Sequence, residues 1–443
     1  MNPVAHWQDR FAGTSERGPG GLASLRRKAI DRFAETGFPT PRVEEWRYTN
    51  PAAIAKLAWQ EAATPPVERD AFERVAFPVF ACSVVVFVNG RYAEALSTPP
   101  SLRPRLGVTP LAGEFVDADG ARTERLGSLA GSAEGGFADL NTAFFRDGAH
   151  VRIPAGEIHE EPIHLVFVNA PGAGASASDS HPRVLIEAEP GSRATVIEDH
   201  VSVVKQSAGA TLTNAITEIH VDDGAEVEWI KVQREHPGAF HVSGTHARVG
   251  RDARLSCHTL AFGTALTRND LRVTLAEPGA ECDLSGLFVA GGDQHVDNHT
   301  WIDHAKPHGT SRELYKGILD GHSRGVFNGR VVVRPDAQKS NAQQQNPNLL
   351  LSRDAEMNTQ PQLEIRADDV RCTHGSTVGQ LDEKAMFYLR SRGIPQREAR
   401  QLLMRGFISE VTRRLSVPAL AERIEDLAVE RLGAGREPAE GGA

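Results

Sequence analysis

Few residues in this 443-residue chain have the types and spacing that chemistry needs. Gly321-His-Ser-Arg-Gly325 matches the serine-hydrolase elbow G-x-S-x-G letter for letter. That elbow requires a strand before the serine and a helix after it, whereas VFNGRVVV follows here and reads as strand and turn. Ser323 is therefore expected in a turn and not as a nucleophile. His295, His299, His304 and His308 suggest a metal by count. Pro307 and Gly309 argue against a helix that would align them, and a stable site also needs converging ligands with a second shell. Hydrogen-bonded strand or turn histidines are the simpler expectation. Cys372 and His374 stand at alternate positions, so in an extended segment they share one side. An exposed thiolate or imidazole can ligate a transition metal; the plainer alternative is a buried cysteine and a turn-capping histidine.

Other chemistries find no support. The chain has no G-x-x-x-x-G-K-[ST] phosphate loop and no dinucleotide fingerprint after a strand. A net charge of −9 and only 6% aromatic residues argue against a nucleic-acid partner, which needs surplus Lys and Arg or stacking platforms. Cys82, Cys257, Cys282 and Cys372 are far apart with no CxxC pair, so neither a disulfide framework nor a Cys₄ site is expected. Cys82, Cys257 and Cys282 are read as packing residues. No apolar run approaches the ~18 residues that cross a bilayer, and the first twenty residues lack a secretory pattern. The expectation is a cytoplasmic protein without membrane contact.

The elements that position these residues follow from periodicity. Residues 1–145 read as a helical and mixed region: Leu22, Leu25, Ala29 and Phe33 give one helical face, and Asn89-Gly90 marks a hairpin near 82–96. From 146 to 378 short β-prone runs follow one another without a helical period. Gly191-Ser-Arg-Ala, Gly224-Ala-Glu-Val, Asp252-Ala-Arg-Leu and Gly279-Ala-Glu-Cys echo each other at solenoid-like spacing, each a tight turn leading into a strand. One such strand cannot bury its inner face alone, but stacked coils share a continuous core. A parallel β-helix is expected, with a sandwich as the alternative. The amide-dense stretch Ala337–Ser352 suits side-chain ladders between coils or, equally, a polar loop before Leu349–Leu351. Residues 379–434 return to helix, with Asp382 as N-cap and Ala399, Leu402, Leu403, Phe407, Val411 and Leu415 on one face. The tail, 435–443, is expected to be disordered.

Long motifs add to this reading. YKGIL, VFNG, AQKSNAQQQNPNLLLS, PQLEIRADDVRCTHGSTVG and FYLRSRGI, followed by AxxLLxxGFxxEV, run in order from Tyr315 to Val411. Near the start, PRVEEWRYTN fits R-x-E-x-W-x-x-T, and LNTAFFRDGAHVRIPAG fits a further motif. In these features the chain resembles the SufB/SufD family of SUF iron–sulfur cluster assembly proteins over nearly its whole length, thinly between 55 and 135. Arg371-Cys-Thr-His-Gly-Ser-Thr-Val-Gly379 resembles the branch that pairs with SufB; SufB itself typically has Glu after the His.

The resemblance implies a right-handed parallel β-helix flanked by N-terminal and C-terminal helical segments. It implies a scaffold rather than an enzyme, paired with a SufB-like subunit and docked to a SufC-like ABC ATPase. Phe387, Tyr388, Leu402, Leu403, Phe407 and Val411 are the residues expected on the docking helices. A cysteine desulfurase and its sulfur-transfer partner would act indirectly, and a homodimer is allowed for the isolated chain. Cys372 and His374 would face the seam where a cluster forms, with His374 as the candidate metal ligand. Iron or a nascent cluster would be held there only transiently, with no cofactor kept by the chain alone. Two other readings are a SufB-type sulfur acceptor and a carbohydrate-active β-helix enzyme.

Overall fold

The computed structural model describes residues 2–13, 20–77, 83–99, 107–114, 125–130, 135–170, 176–203 and 209–433. Cys82 and the segment 435–443 lie outside the described residues. The body is a parallel β-helix in which each coil gives one strand to each of two sheets. One sheet stacks Ala210–Val221, Phe240–Val249, Leu266–Leu275, His295–His304, Arg324–Val333 and Glu356–Ile365. The other stacks Glu226–Arg234, Arg254–Phe262, Glu281–Ala290, Thr310–Leu319, Asn341–Leu350 and Arg371–Gly379. Pairing is in register, so one column runs Val227, Leu255, Cys282, Ser311, Ala342, Cys372. The first five of these residues are buried inside the coils. Because side chains alternate across a strand, that column fixes which residues face the lumen in every coil.

The repeated turns explain the stacking. Gly191, Gly224, Asp252, Gly279, His308 and Lys339 all have positive φ, the left-handed conformation that lets a strand begin sharply after the turn. Each amide donates to a carbonyl in the next coil's turn: Gly191 to Asp223, Gly224 to Arg251, Asp252 to Pro278, Gly279 to Pro307, His308 to Gln338 and Lys339 to Asp369. At Gly279 the freedom is required twice, since a Cβ there would sit 2.0 Å from Asp252 Oδ1.

Several sequence expectations meet the structure at this point. Asn341–Leu350 is a full ladder strand, so the loop alternative for the amide segment is corrected: ladder pairing on both sides holds the backbone extended. Its inward amides bond partly to each other, with Asn348 Nδ2 donating to Asn346 Oδ1 at 2.8 Å. Ser323 is fully buried in a turn, its hydroxyl donating to the Ala290 carbonyl at 3.2 Å. The four histidines do not converge: His295 meets Thr49, His299 meets Asp297, His304 meets Ser311, and His308 occupies a left-handed turn. Cys257 and Cys282 pack in the lumen.

The N-terminal region covers the outer face of the first sheet. Trp7, Ile30, Phe33, Phe137 and Phe144 bury against Leu212, Val242 and Leu266. The arm that follows docks through its motif: the Arg268 guanidinium lies 4.4 Å from the Trp46 ring centroid, and the Thr49 hydroxyl donates to Asp297. Arg268 also donates to the Glu45 carbonyl at 2.7 Å. A hairpin, Ser83–Val88 with Arg91–Tyr92, turns through Asn89 and Gly90, both at positive φ. With the antiparallel pairing of Val108–Pro110 on Gly148–Ile153, it finishes the sheets at the N-terminal end of the stack.

Three C-terminal helices, Glu383–Ser391, Gln396–Thr412 and Pro418–Gly433, follow the last coil. Met404, Ile408, Val411, Leu420 and Ile424 bury against Ile230, Val232, Leu260, Leu287, Leu314 and Ile318 on the outer face of the second sheet. Asp382 caps the first helix, its Oδ1 accepting from the Lys384 amide at 2.8 Å. The expected apolar face of the middle helix needs correction. Leu402 is 49% exposed, while Ala399, Met404, Ile408 and Val411 are buried. At 3.6 residues per turn the stripe through Met404 and Ile408 lies beside the one through Leu402, and the flat sheet selects the former.

Candidate functional site: the open end of the solenoid

The two last strands differ from all the coils before them. Among the described residues Glu356–Ile365 pairs only with Arg324–Val333, and Arg371–Gly379 only with Asn341–Leu350, so each ends its sheet with an open ladder edge. Such an edge presents a row of backbone donors and acceptors ready to pair with another chain. Most of the last strand is exposed, and Val378 is among the exposed large hydrophobic residues.

Cys372 and His374 lie on this strand. Their rung partners are Ala342 and Gln344, both buried inside the preceding coil. The two residues therefore stand on the inward parity, above the mouth of the lumen. Cys372 is half-buried against the core, and burial raises its thiol above the ordinary cysteine range. A thiol so raised is mostly protonated near neutrality and becomes a good nucleophile or ligand only when a cation or base approaches. His374 is exposed. Among the described residues no group of three or more His, Cys, Asp or Glu is arranged to hold a metal ion. One thiol and one imidazole are half of a typical ligand set, which suits a site shared with a second chain.

Of the residues expected on the docking helices, Phe387 and Tyr388 are 75% and 57% exposed on Glu383–Ser391, and Leu402 joins them in facing solvent. Leu403 is partly buried, and Phe407 packs its ring 4.1 Å from Lys316 Nζ. Val411 is wholly buried and seats the helix on the sheet.

The sequence reading missed a polar half of the lumen. Glu198, His200, Lys231, Gln233, Glu235 and His241 are all buried within the coils. His200 pairs with Glu198 Oε1 at 2.8 Å, and His241 with Glu235 Oε2 at 2.7 Å. The Lys231 ammonium binds Ser243 and Asn269. Burial works to raise Glu198, but the His200 hydrogen bond and the charges of His200 and Lys231 outweigh it and hold the carboxyl at about 2. The available signal was parity: Glu198 and Lys231 share the inward register of Val196 and Val227 on their strands.

Fold and site together define a β-solenoid whose last coil is uncovered and whose flank carries a helical domain. Residues 8–165 match the SufBD protein N-terminal region, and residues 170–407 match the SUF system FeS cluster assembly SufBD core domain. The chain is 30% identical to the iron–sulfur cluster assembly protein SufD of Escherichia coli, over 96% of this chain and 95% of the relative. It is 31% identical to an iron–sulfur cluster assembly SufBD family protein of Synechocystis, over 91% and 89% respectively. The SufD of Bacillus subtilis is 29% identical over 64% of each chain. The chain belongs to the SufB/SufD family of iron–sulfur cluster assembly proteins.

Proposed function

We propose that this protein is a non-catalytic SufD-type scaffold that completes a cluster-forming seam with a SufB-like subunit in the cytoplasm. The observation that carries the reading is the pair of ten- and nine-residue edge strands, Glu356–Ile365 and Arg371–Gly379, that end both sheets together at the C-terminal end of the stack. Joining them to a second solenoid would continue both sheets and bury backbone groups that otherwise stay wet. Cys372 and His374 would then lie at the joint, where iron or a nascent cluster is held transiently as cargo.

Phe387, Tyr388 and Leu402 form the surface offered to a SufC-like ATPase, and a cysteine desulfurase with its sulfur carrier supplies the partner subunit. Nucleotide-driven pairing of the ATPase would pull on the helices and bias the seam between two states. Deleting residues 380–443 should abolish co-purification with the ATPase while leaving the SufB-like subunit bound. Retention of the ATPase by the truncated chain defeats the docking assignment. Failure of the full chain to bind either subunit defeats the whole reading.

A further inference from the structure

Behind His374 the register places two buried polar side chains that the apolar core does not need. Gln344 stands opposite His374 on the neighbouring rung, and Glu313 stands opposite Gln344 on the rung before. All three share the inward parity, so they stack along one column from the mouth of the lumen into the core. Glu313 and Gln344 are 3% and 1% exposed. Gln344 Nε2 donates to Glu313 Oε2 at 2.7 Å. Gln344 Oε1 is buried without a hydrogen-bond partner. The amide is held against the opposite sheet, since a Cβ on Gly329 would come within 2.3 Å of Gln344 Nε2. An orphaned buried oxygen is costly and calls for a donor. With the amide nitrogen committed to Glu313, the free Oε1 is the acceptor left for the next rung.

We propose that Gln344 and Glu313 are positioning residues for His374: Gln344 Oε1 accepts the ring N–H, and Glu313 anchors the amide that does so. An imidazole that ligates a metal through one nitrogen usually donates its other N–H to a fixed acceptor, which sets tautomer and ring orientation. Gln344, anchored by Glu313, supplies that acceptor to His374 in a form that survives solvent at the open end, because the anchor is dry. The role in metal handling rests on the function proposed above; the positioning itself does not.

The test is nitrogen-15 NMR of histidine rings in the full-length chain without metal, with the His374 signal assigned by its loss in His374→Ala. At pH 8 the wild-type ring should show one protonated and one bare nitrogen, a single tautomer. Gln344→Leu should return it toward the averaged shifts of a free imidazole. Glu313→Leu, which removes the anchor, should loosen the tautomer in the same way, and circular dichroism matching the wild type shows that each variant is folded. Averaged shifts in the wild-type chain, or a Gln344→Leu spectrum unchanged at His374, overturn the proposal. In the complex with the SufB-like subunit, Gln344→Leu should weaken Co(II) binding by about 10-fold, the lower end of such effects. A fixed tautomer in a complex whose Co(II) binding ignores His374→Ala supports the positioning and overturns the metal role of His374.

Discussion

Lys316 Nζ, on the outer face of the solenoid, donates to the carbonyl oxygen of Phe407 at 3.0 Å and lies 2.6 Å from Glu410 Oε2. The Lys316 side chain is 2% exposed, and its ammonium also sits over the Phe407 ring. One cation thus joins the coil stack to the middle C-terminal helix through three kinds of contact. A second tie lies nearby, where Ser416 donates its amide and hydroxyl to Glu228, which also meets His258 Nε2 at 3.3 Å. A pull on the helices reaches the coils through these points and the apolar face around them.

Replacing Lys316 with methionine keeps the stem and removes the charge. A hydrogen bond to a charged group contributes about 1.5–3 kcal/mol, so loss of about 2 kcal/mol in the docking of residues 396–412 is expected. Native-state hydrogen exchange should show faster exchange in that helix while the strands Glu281–Ala290 and Glu226–Arg234 keep their protection. Equal loosening of helix and strands would mean that the two parts do not separate at this seam.

The open edge gives a second prediction. The Arg371 amide donates to the Ser340 carbonyl, so in the alternating pattern of a parallel ladder the even-numbered amides of the last strand, Val378 among them, face the open edge. Val378→Pro removes an edge donor, and proline is tolerated in strands chiefly at such edges. Association with the SufB-like subunit should fall at least 10-fold by titration calorimetry, with the melting temperature of the isolated chain nearly unchanged. Unaltered affinity would place the seam elsewhere.

The docking of the N-terminal arm gives a third. Asp297 is buried between the Arg268 guanidinium at 2.6 Å, the Thr49 hydroxyl and His299. Breaking a buried pair from one side costs about 3–5 kcal/mol, because the remaining charge is stranded. Asp297→Ala should cause a loss of that size in urea unfolding. Thr49→Val should cost only about 1 kcal/mol, the ordinary net worth of a hydrogen bond, and should expose the arm to proteolysis near Arg47.

The sequence carried the architecture further than the site. The echo at Gly191, Gly224, Asp252 and Gly279 is legible because a left-handed turn admits few residue types, and the same geometry recurs at each coil. His308 and Lys339 continue the series without resembling it, since hydrogen bonds between turns tolerate the strain that side chains there incur. On the middle C-terminal helix Ala399 and Val411 are covered as the period predicts, with Phe407 packed beside them; Leu402 is the exception, because the sheet covers the neighbouring stripe through Met404 and Ile408 instead. Cys372 and His374 stand two residues apart on one strand and are found from the sequence. Gln344 and Glu313 are joined to His374 by coil spacing, so only the ladder register reveals them.

Acid should unfold the coil interior before neutral pH does. Burial would raise Glu198, Asp199 and Glu235, but hydrogen bonds and charges from the groups beside them outweigh it and hold each at about 2: His200 and Lys231 for Glu198, Arg234 and His164 for Asp199, and His241, itself lowered to about 4 by burial, for Glu235. Carboxyls lowered on folding add stability that is complete above their unfolded values near 4.5 and is lost as pH falls toward 2. Unfolding free energy should therefore drop steeply below about pH 4.5. Glu198→Gln should flatten part of that slope; an unchanged slope would show that the carboxylate is not ionised in the fold.

Glu313 works in the opposite direction. Burial is the dominant influence and pushes its carboxyl up to about 7, against weaker hydrogen bonds from Thr300 and Gln344. The titratable groups coupled to it are the Tyr315 phenol and the Cys282 thiol, both raised themselves and both neutral in this range. The folded chain thus holds a proton that the unfolded chain has released, and the associated stability is complete below about pH 4.5 and disappears as pH rises through 7. In wild type this loss opposes the gain from Glu198 and its neighbours only on the neutral side, so the two windows separate. Glu313→Gln fixes the neutral state, and the difference in unfolding free energy between variant and wild type should grow from pH 5 to pH 8. A difference constant across that range would mean that Glu313 is already ionised in its buried column.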